Sequence, residues 1–166
     1  MIIFGVDPGT KKSGWCWMDL DKDFGVQAIA FGHDLNRTVI GTMVNLGKDK
    51  GELVTGYEFV KSYGRAVGED VFRTAYMCGR VREACESFGP FHEPVRPEIV
   101  RHFTGRTNLP KPEVRKVLLS RFGGENAKSK TGLLHGITNH AWDALAVCMY
   151  LCESVYGYDE AYWSLN

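Results

Sequence analysis

Four side chains in this sequence could do chemistry together: Asp7, Glu58, His140 and Asp143. Asp7 closes the apolar run MIIFGVD, and a buried strand ends on a carboxylate only at a cost unless the carboxylate has a partner. The Pro-Gly-Thr turn that follows keeps the approach to it open. Glu58 ends a second apolar run, LVTGYE, in the same way. If the two runs are neighbouring parallel strands, both carboxylates reach one edge of a sheet a few ångströms apart. There they repel each other and call for a divalent cation. His140 and Asp143 stand three residues apart in NHAWDALAVCMYL and share one face of a helix. Alone, a strand-end Asp is usually a turn or cap residue and a helical His usually a structural one. Together the four make an oxygen-rich set with one imidazole, which suits magnesium or manganese better than zinc. Two such ions about 4 Å apart can activate water on one side of a phosphodiester and stabilise the leaving oxygen on the other.

The elements that must position these residues follow from the hydrophobic pattern. Strands are expected over 1–7, 14–19 and 25–32, a helix over 37–46 and a further strand over 53–59. A long helix is predicted over 69–87, with Val71, Ala75, Cys78, Val81 and Cys85 on its core face. Phe72, Tyr76 and Met77 add apolar surface beyond that stripe. Gly89-Pro90 stops the helix, and a weak strand follows over 91–95. Pro97 opens a short helix, and Lys111-Pro112-Glu113 opens another to 122, with proline at a permitted early position. The glycine- and lysine-rich stretch 123–137 is expected to be mobile. A last helix should run from 138 or 139 to about 155, with Ala141, Leu145, Val147, Cys148 and Leu151 in the core. Three hairpin strands followed by alternation predict one α/β domain over 1–166. Its mixed five-stranded sheet would have three antiparallel and two parallel strands, with helices on both faces.

Composition narrows the class without naming a function. The chain of 166 residues is 44% hydrophobic, ordinary for a globular domain that needs neither disulfides nor structural metal. Its formal net charge is zero, but the charge is uneven: nine basic residues stand against three acidic ones from Arg96 to Lys130. A basic block beside an acidic remainder suits an enzyme that holds phosphates on one surface and metal in a carboxylate cluster. The five cysteines form no C-x-x-C pair and read as small buried hydrophobes in a reducing, cytoplasmic compartment. No stretch approaches the ~20 apolar residues of a membrane span, so no membrane partner is expected.

In order and spacing, GVDPGTKKSGW, TGYEFV and NHAWDALAV resemble the three catalytic blocks of the RuvC family of Holliday junction resolvases, within the RNase H-like superfamily. FTGR followed by KPEVRKVLLSRF is similar to that family's basic segment before the last helix. The resemblance implies that Asp7, Glu58, His140 and Asp143 hold two magnesium or manganese ions per site. It also implies a homodimer that nicks two strands of a four-way junction symmetrically, although it names no branch-migration motor. Lys111, just before a helix, would meet the scissile phosphate. Lys11 and Lys12 in the turn beside Asp7, with Arg101, Arg106, Arg115, Lys128 and Lys130, would be backbone contacts that position DNA. The family often carries an aromatic residue three positions after the strand-end Glu. Here Lys61 stands there, with Phe59 and Tyr63 nearby as candidate substitutes. Lys61 and Tyr63 are expected to meet DNA, and the departure points to a looser, phage- or virus-type specificity for branched DNA.

Three alternatives share part of this pattern. DPGTKKSG alone also resembles the phosphate-holding turn of sugar kinases and actin-like ATPases, but those need a second related domain and a second such turn. An RNase H-like ribonuclease on RNA–DNA hybrids would use the same carboxylates without the basic segment before the last helix. A non-catalytic branched-DNA-binding protein would not need all four ligand positions filled.

Overall fold

β1 (Ile2–Asp7) is apolar on both faces and takes the middle of the sheet in this computed structural model, which describes residues 1–21, 25–62, 64 and 66–157. β2 (Lys12–Leu20) pairs antiparallel with β1, and β3 (Val26–Leu35) antiparallel with β2. On the other side β4 (Leu53–Tyr57) runs parallel to β1, followed by the two-residue β5 (Phe91–His92), also parallel. The order is β3-β2-β1-β4-β5, the mixed five-stranded sheet expected from the sequence.

Alternation along β1 divides the core into two layers. Ile2, Phe4 and Val6 face α1 (Asn36–Lys50) and α2 (Glu69–Cys85), where they meet Val39, Met43, Met77 and Val81. Ile3 faces α5 (Asn139–Tyr150), with α3 (Arg96–Thr104) and α4 (Lys111–Arg121) packed beside that helix. Nine consecutive residues of α5, Ala141 to Met149, are buried, as befits a helix enclosed by a sheet and two other helices.

Three glycines let α5 lie directly on the sheet. A Cβ on Gly5 would come 2.4 Å from the Ala144 carbonyl oxygen, and one on Gly14 would come 2.2 Å from that of His140. One on Gly56 would come 3.1 Å from a methyl carbon of Val147 in α5 and 2.6 Å from one of Leu151 just beyond it. Gly5 pairs with Gly56 across β1 and β4, and Gly14 pairs with Asp7 across β1 and β2. The helix start is thereby drawn down beside the strand end that carries Asp7.

Several elements differ from expectation for identifiable reasons. β3 continues to Leu35, which makes His33 a strand residue opposite Gly14. β4 ends at Tyr57, although Glu58 N still donates to Val6 O at 3.2 Å. The core stripe of α2 is turned: Met77 is buried with Cys78, Val81 and Cys85, while Ala75 is exposed. Burying Met in place of Ala removes more apolar area from water, and only Phe72 and Tyr76 of the expected outward set stay exposed. The stretch expected to be mobile contains a 3-10 turn over Gly124–Lys128 and packs through two apolar anchors, Ala127 and Leu134. Leu134 N donates to Ala127 O at 2.8 Å, so the glycine content is outweighed by two buried side chains. The last helix stays α-helical to Tyr150 and then widens into a π-turn over Leu151–Val155. That turn brings Glu153 to His102 Nε2 at 2.8 Å and Arg121 Nε at 3.2 Å, tying the end of the last helix to α3 and α4. All five cysteines are buried and unpaired, as expected.

Candidate metal centre

Asp7, at the end of β1, points to the α5 side of the sheet in register with Gly5 and Ile3. Because no side chain stands on Gly14, the first turn of α5 sits over it and brings the His140 ring to Asp7. His140 Nδ1 lies 2.9 Å from Asp7 Oδ2. Three residues further along the same helix face, Asp143 joins them from the buried side. Asp7, His140 and Asp143 each offer a ligand atom, and the three atoms lie within 4.8 Å of one another. Exposure grades across the group: the Asp143 side chain is 8% exposed and that of His140 53%.

Glu58 reaches the same corner from the parallel neighbour, as its place one residue beyond β4 requires, but stands outside that close group. Its partner is Arg96, the first residue of α3, whose Nη1 lies 3.4 Å from Glu58 Oε2 and 4.0 Å from Asp143 Oδ1. Lys111, the first residue of α4, places Nζ 2.5 Å from Asp143 Oδ2. Burial raises the Asp7 carboxyl above its ordinary range; the His140 hydrogen bond pulls it back and the Asp143 charge pushes it up again. Burial likewise raises Glu58, with Arg96 opposing and Asp7 and Asp143 adding to the rise. Two carboxylates and an imidazole converging at this spacing, with a third carboxylate alongside, fit a hard divalent cation.

Two residues of the corner carry no sequence signal of their own. Arg96 lies within the basic block but has no motif to mark it. His33 stacks on His140 with ring centroids 4.4 Å apart and planes 24° from parallel. What burial it has, and then the neighbouring His140 and Lys12, hold its imidazole below the usual histidine range. The row Asp7–Gly14–His33 across three strands would have disclosed it, but only with the register of β2 and β3 in hand.

The residues expected to meet DNA fall into two groups. Lys11, Lys12, Arg101, Arg106 and Lys130 are exposed and enter no ion pair among the described residues. Lys61 is exposed too and lines a cavity of about 240 Å³ with Glu58, Phe59 and Arg96. Others are engaged within the chain: Lys111 with Asp143, and Lys128 with Glu125 at 2.8 Å. Arg115 donates to the side-chain and backbone oxygens of Asn139 at 3.0 and 3.2 Å, which steadies the start of α5. Tyr63 lies outside the described residues.

By sequence, no family model and no curated protein matches the chain. By structure, it is similar to Thermus thermophilus RuvC, with a TM-score of 0.64 at 16% identity over 95% of this chain and 97% of that one. It is similar also to T. thermophilus RuvC in complex with its Holliday junction substrate, with a TM-score of 0.63 at 15% identity over 93% and 94% of the two chains. The Fowlpox virus resolvase, in complex with substrate Holliday junction DNA, gives a TM-score of 0.54 at 12% identity over 93% and 99%. The chain therefore has the RNase H-like fold. Its version of that fold is the one built by RuvC, matched over nearly the full length of both chains.

Proposed function

We propose that this chain is a structure-selective endonuclease that cuts branched DNA, four-way junctions foremost, by metal-dependent phosphodiester hydrolysis. The observation that carries the reading is the convergence of Asp7, His140 and Asp143 ligand atoms within 4.8 Å, with Glu58 alongside, at the sheet edge of a RuvC-like fold. Asp7, Glu58, His140 and Asp143 would hold magnesium or manganese. Bound there, such ions supply an activated water and charge stabilisation for the leaving oxygen. The chain's own residues do the rest. Asp7 orients His140 through the 2.9 Å contact, and the His33 stack fixes the plane of the ring. Lys111 stands where it can leave Asp143 for a substrate phosphate, and Lys11, Lys12, Arg101, Arg106 and Lys130 give the backbone a cationic path.

The two-fold symmetry of a four-way junction favours a homodimer, and exposed Phe72 and Tyr76 on α2 supply an apolar face for it. Five buried free thiols support a reducing compartment inside a cell, and no described helix is long and apolar enough to cross a membrane. The test is cleavage of a labelled four-way junction beside linear duplex, fork and RNA–DNA hybrid, in magnesium or manganese. Preferred cutting of the junction supports a resolvase, and equal cutting of forks broadens it to a branched-DNA nuclease. Hybrid-only cutting would move the chain to the ribonucleases, while tight junction binding without any cutting would make it a binding protein.

A further inference from the structure

The centre has two unequal halves. Asp7, His140 and Asp143 converge on one another, whereas Glu58 stands apart and is gripped by Arg96. The backbone holds Arg96 in place. The segment after β5 continues alongside the end of β4, with Phe59 and Val95 forming a parallel bridge and Phe59 N donating to Pro94 O at 2.9 Å. Val95 N in turn donates to Glu98 Oε2 at 3.0 Å, which sets the first turn of α3. The Arg96 guanidinium consequently sits between the half-buried Glu58 carboxylate, at 3.4 Å, and the buried Asp143 carboxylate, at 4.0 Å. A positive charge so placed already neutralises both carboxylates and repels a cation that would be shared between them. Lys111 differs: it holds only Asp143, from a more exposed position, on a flexible stem.

We propose that Arg96 is a positioning residue that sets the order of cation binding. The Asp7–His140–Asp143 half takes a divalent cation first, and Glu58 takes part in a second site only after Arg96 has released both carboxylates. Until then Arg96 keeps Glu58 and Asp143 from repelling each other. The cavity of about 240 Å³ that it lines with Glu58, Phe59, Val60, Lys61 and Val71 gives the guanidinium a place to turn, toward a DNA phosphate when one is present. This inference rests on the metal-centre reading above.

The test is calorimetric titration of manganese into the whole protein without DNA. The wild type should show a tighter and a weaker site, and Glu58→Gln should lose the weaker one only. Arg96→Met should tighten the weaker site by about fivefold, the worth of a partly exposed ion pair, and the tighter site by less, because Arg96 stands further from Asp143 than from Glu58. Arg96→Lys, which keeps a positive charge there, should bind like the wild type. Melting in EDTA checks folding, and Arg96→Gln takes the place of Arg96→Met if the latter does not fold. Unchanged affinities in a folded, neutral Arg96 variant would overturn the role of Arg96 while leaving the metal centre standing. Equal tightening by Arg96→Lys would overturn it as well, since shape and not charge would then be at work. A wild type that binds no manganese would overturn the metal centre itself, and this inference with it.

Discussion

Asp7 shows how function and stability oppose each other in one side chain. Burial raises its carboxyl above the ordinary range, so the metal-free native state holds a proton that the unfolded chain releases at lower pH. Stability of the metal-free protein therefore falls as pH rises from the ordinary carboxylate pKa through the raised one, and Glu58 adds to the fall in the same direction. Asp7→Asn, which removes the charge and keeps the shape, should raise the melting temperature in EDTA at neutral pH by roughly 2–4 °C, about 1 kcal/mol for a chain of this size. The same variant should cut no junction and still bind one. A lower melting temperature would mean that the His140 contact outweighs burial. The four proposed ligands are legible in the sequence because each places a polar group at the end or on the face of an apolar element. Arg96 and His33 are not legible, because each reaches the centre through a strand register that no local pattern encodes.

At the scale of elements, the centre depends on how closely α5 lies on the sheet. Gly14→Ala would drive a methyl group into the His140 carbonyl, which is rigid backbone and cannot swing aside. The variant should lose about 1–3 kcal/mol of stability, and cleavage should fall further than that loss explains, because His140 moves relative to Asp7. Gly41→Ala is the matching control: it lies within α1 with nothing within 4 Å of an added Cβ, and should gain up to about 1 kcal/mol. Thermal melts of both beside cleavage rates check this, and a Gly14→Ala protein with wild-type activity would show that the close approach is dispensable. The strands, the mixed sheet and the helices could be read from apolar periodicity and the sequence of elements, but the glycine floor could not. A glycine in a strand looks alike in sequence whether it faces a helix backbone or solvent. The stretch 123–137 went unread for a related reason, since two buried residues, Ala127 and Leu134, decide its packing against a background of glycine and lysine.

For the molecule as a whole, one centre makes one nick, and resolving a junction needs two. Phe72 and Tyr76 are 66% and 71% exposed on the outer face of α2, on the sheet layer opposite to α5, so pairing there would leave both centres open. If the proposed homodimer forms through this face, the wild type should sediment as a dimer and Phe72→Glu as a monomer that still binds manganese. A Phe72→Glu protein that remains dimeric would move the interface elsewhere. The most direct test of the central claim maps the nicks at nucleotide resolution on all four strands of one synthetic junction, for the wild type and for Asp143→Asn, with magnesium and with EDTA. The account predicts paired nicks at symmetric positions in two opposed strands, lost in EDTA and lost in Asp143→Asn. Cutting that survives either the chelator or the substitution would contradict it.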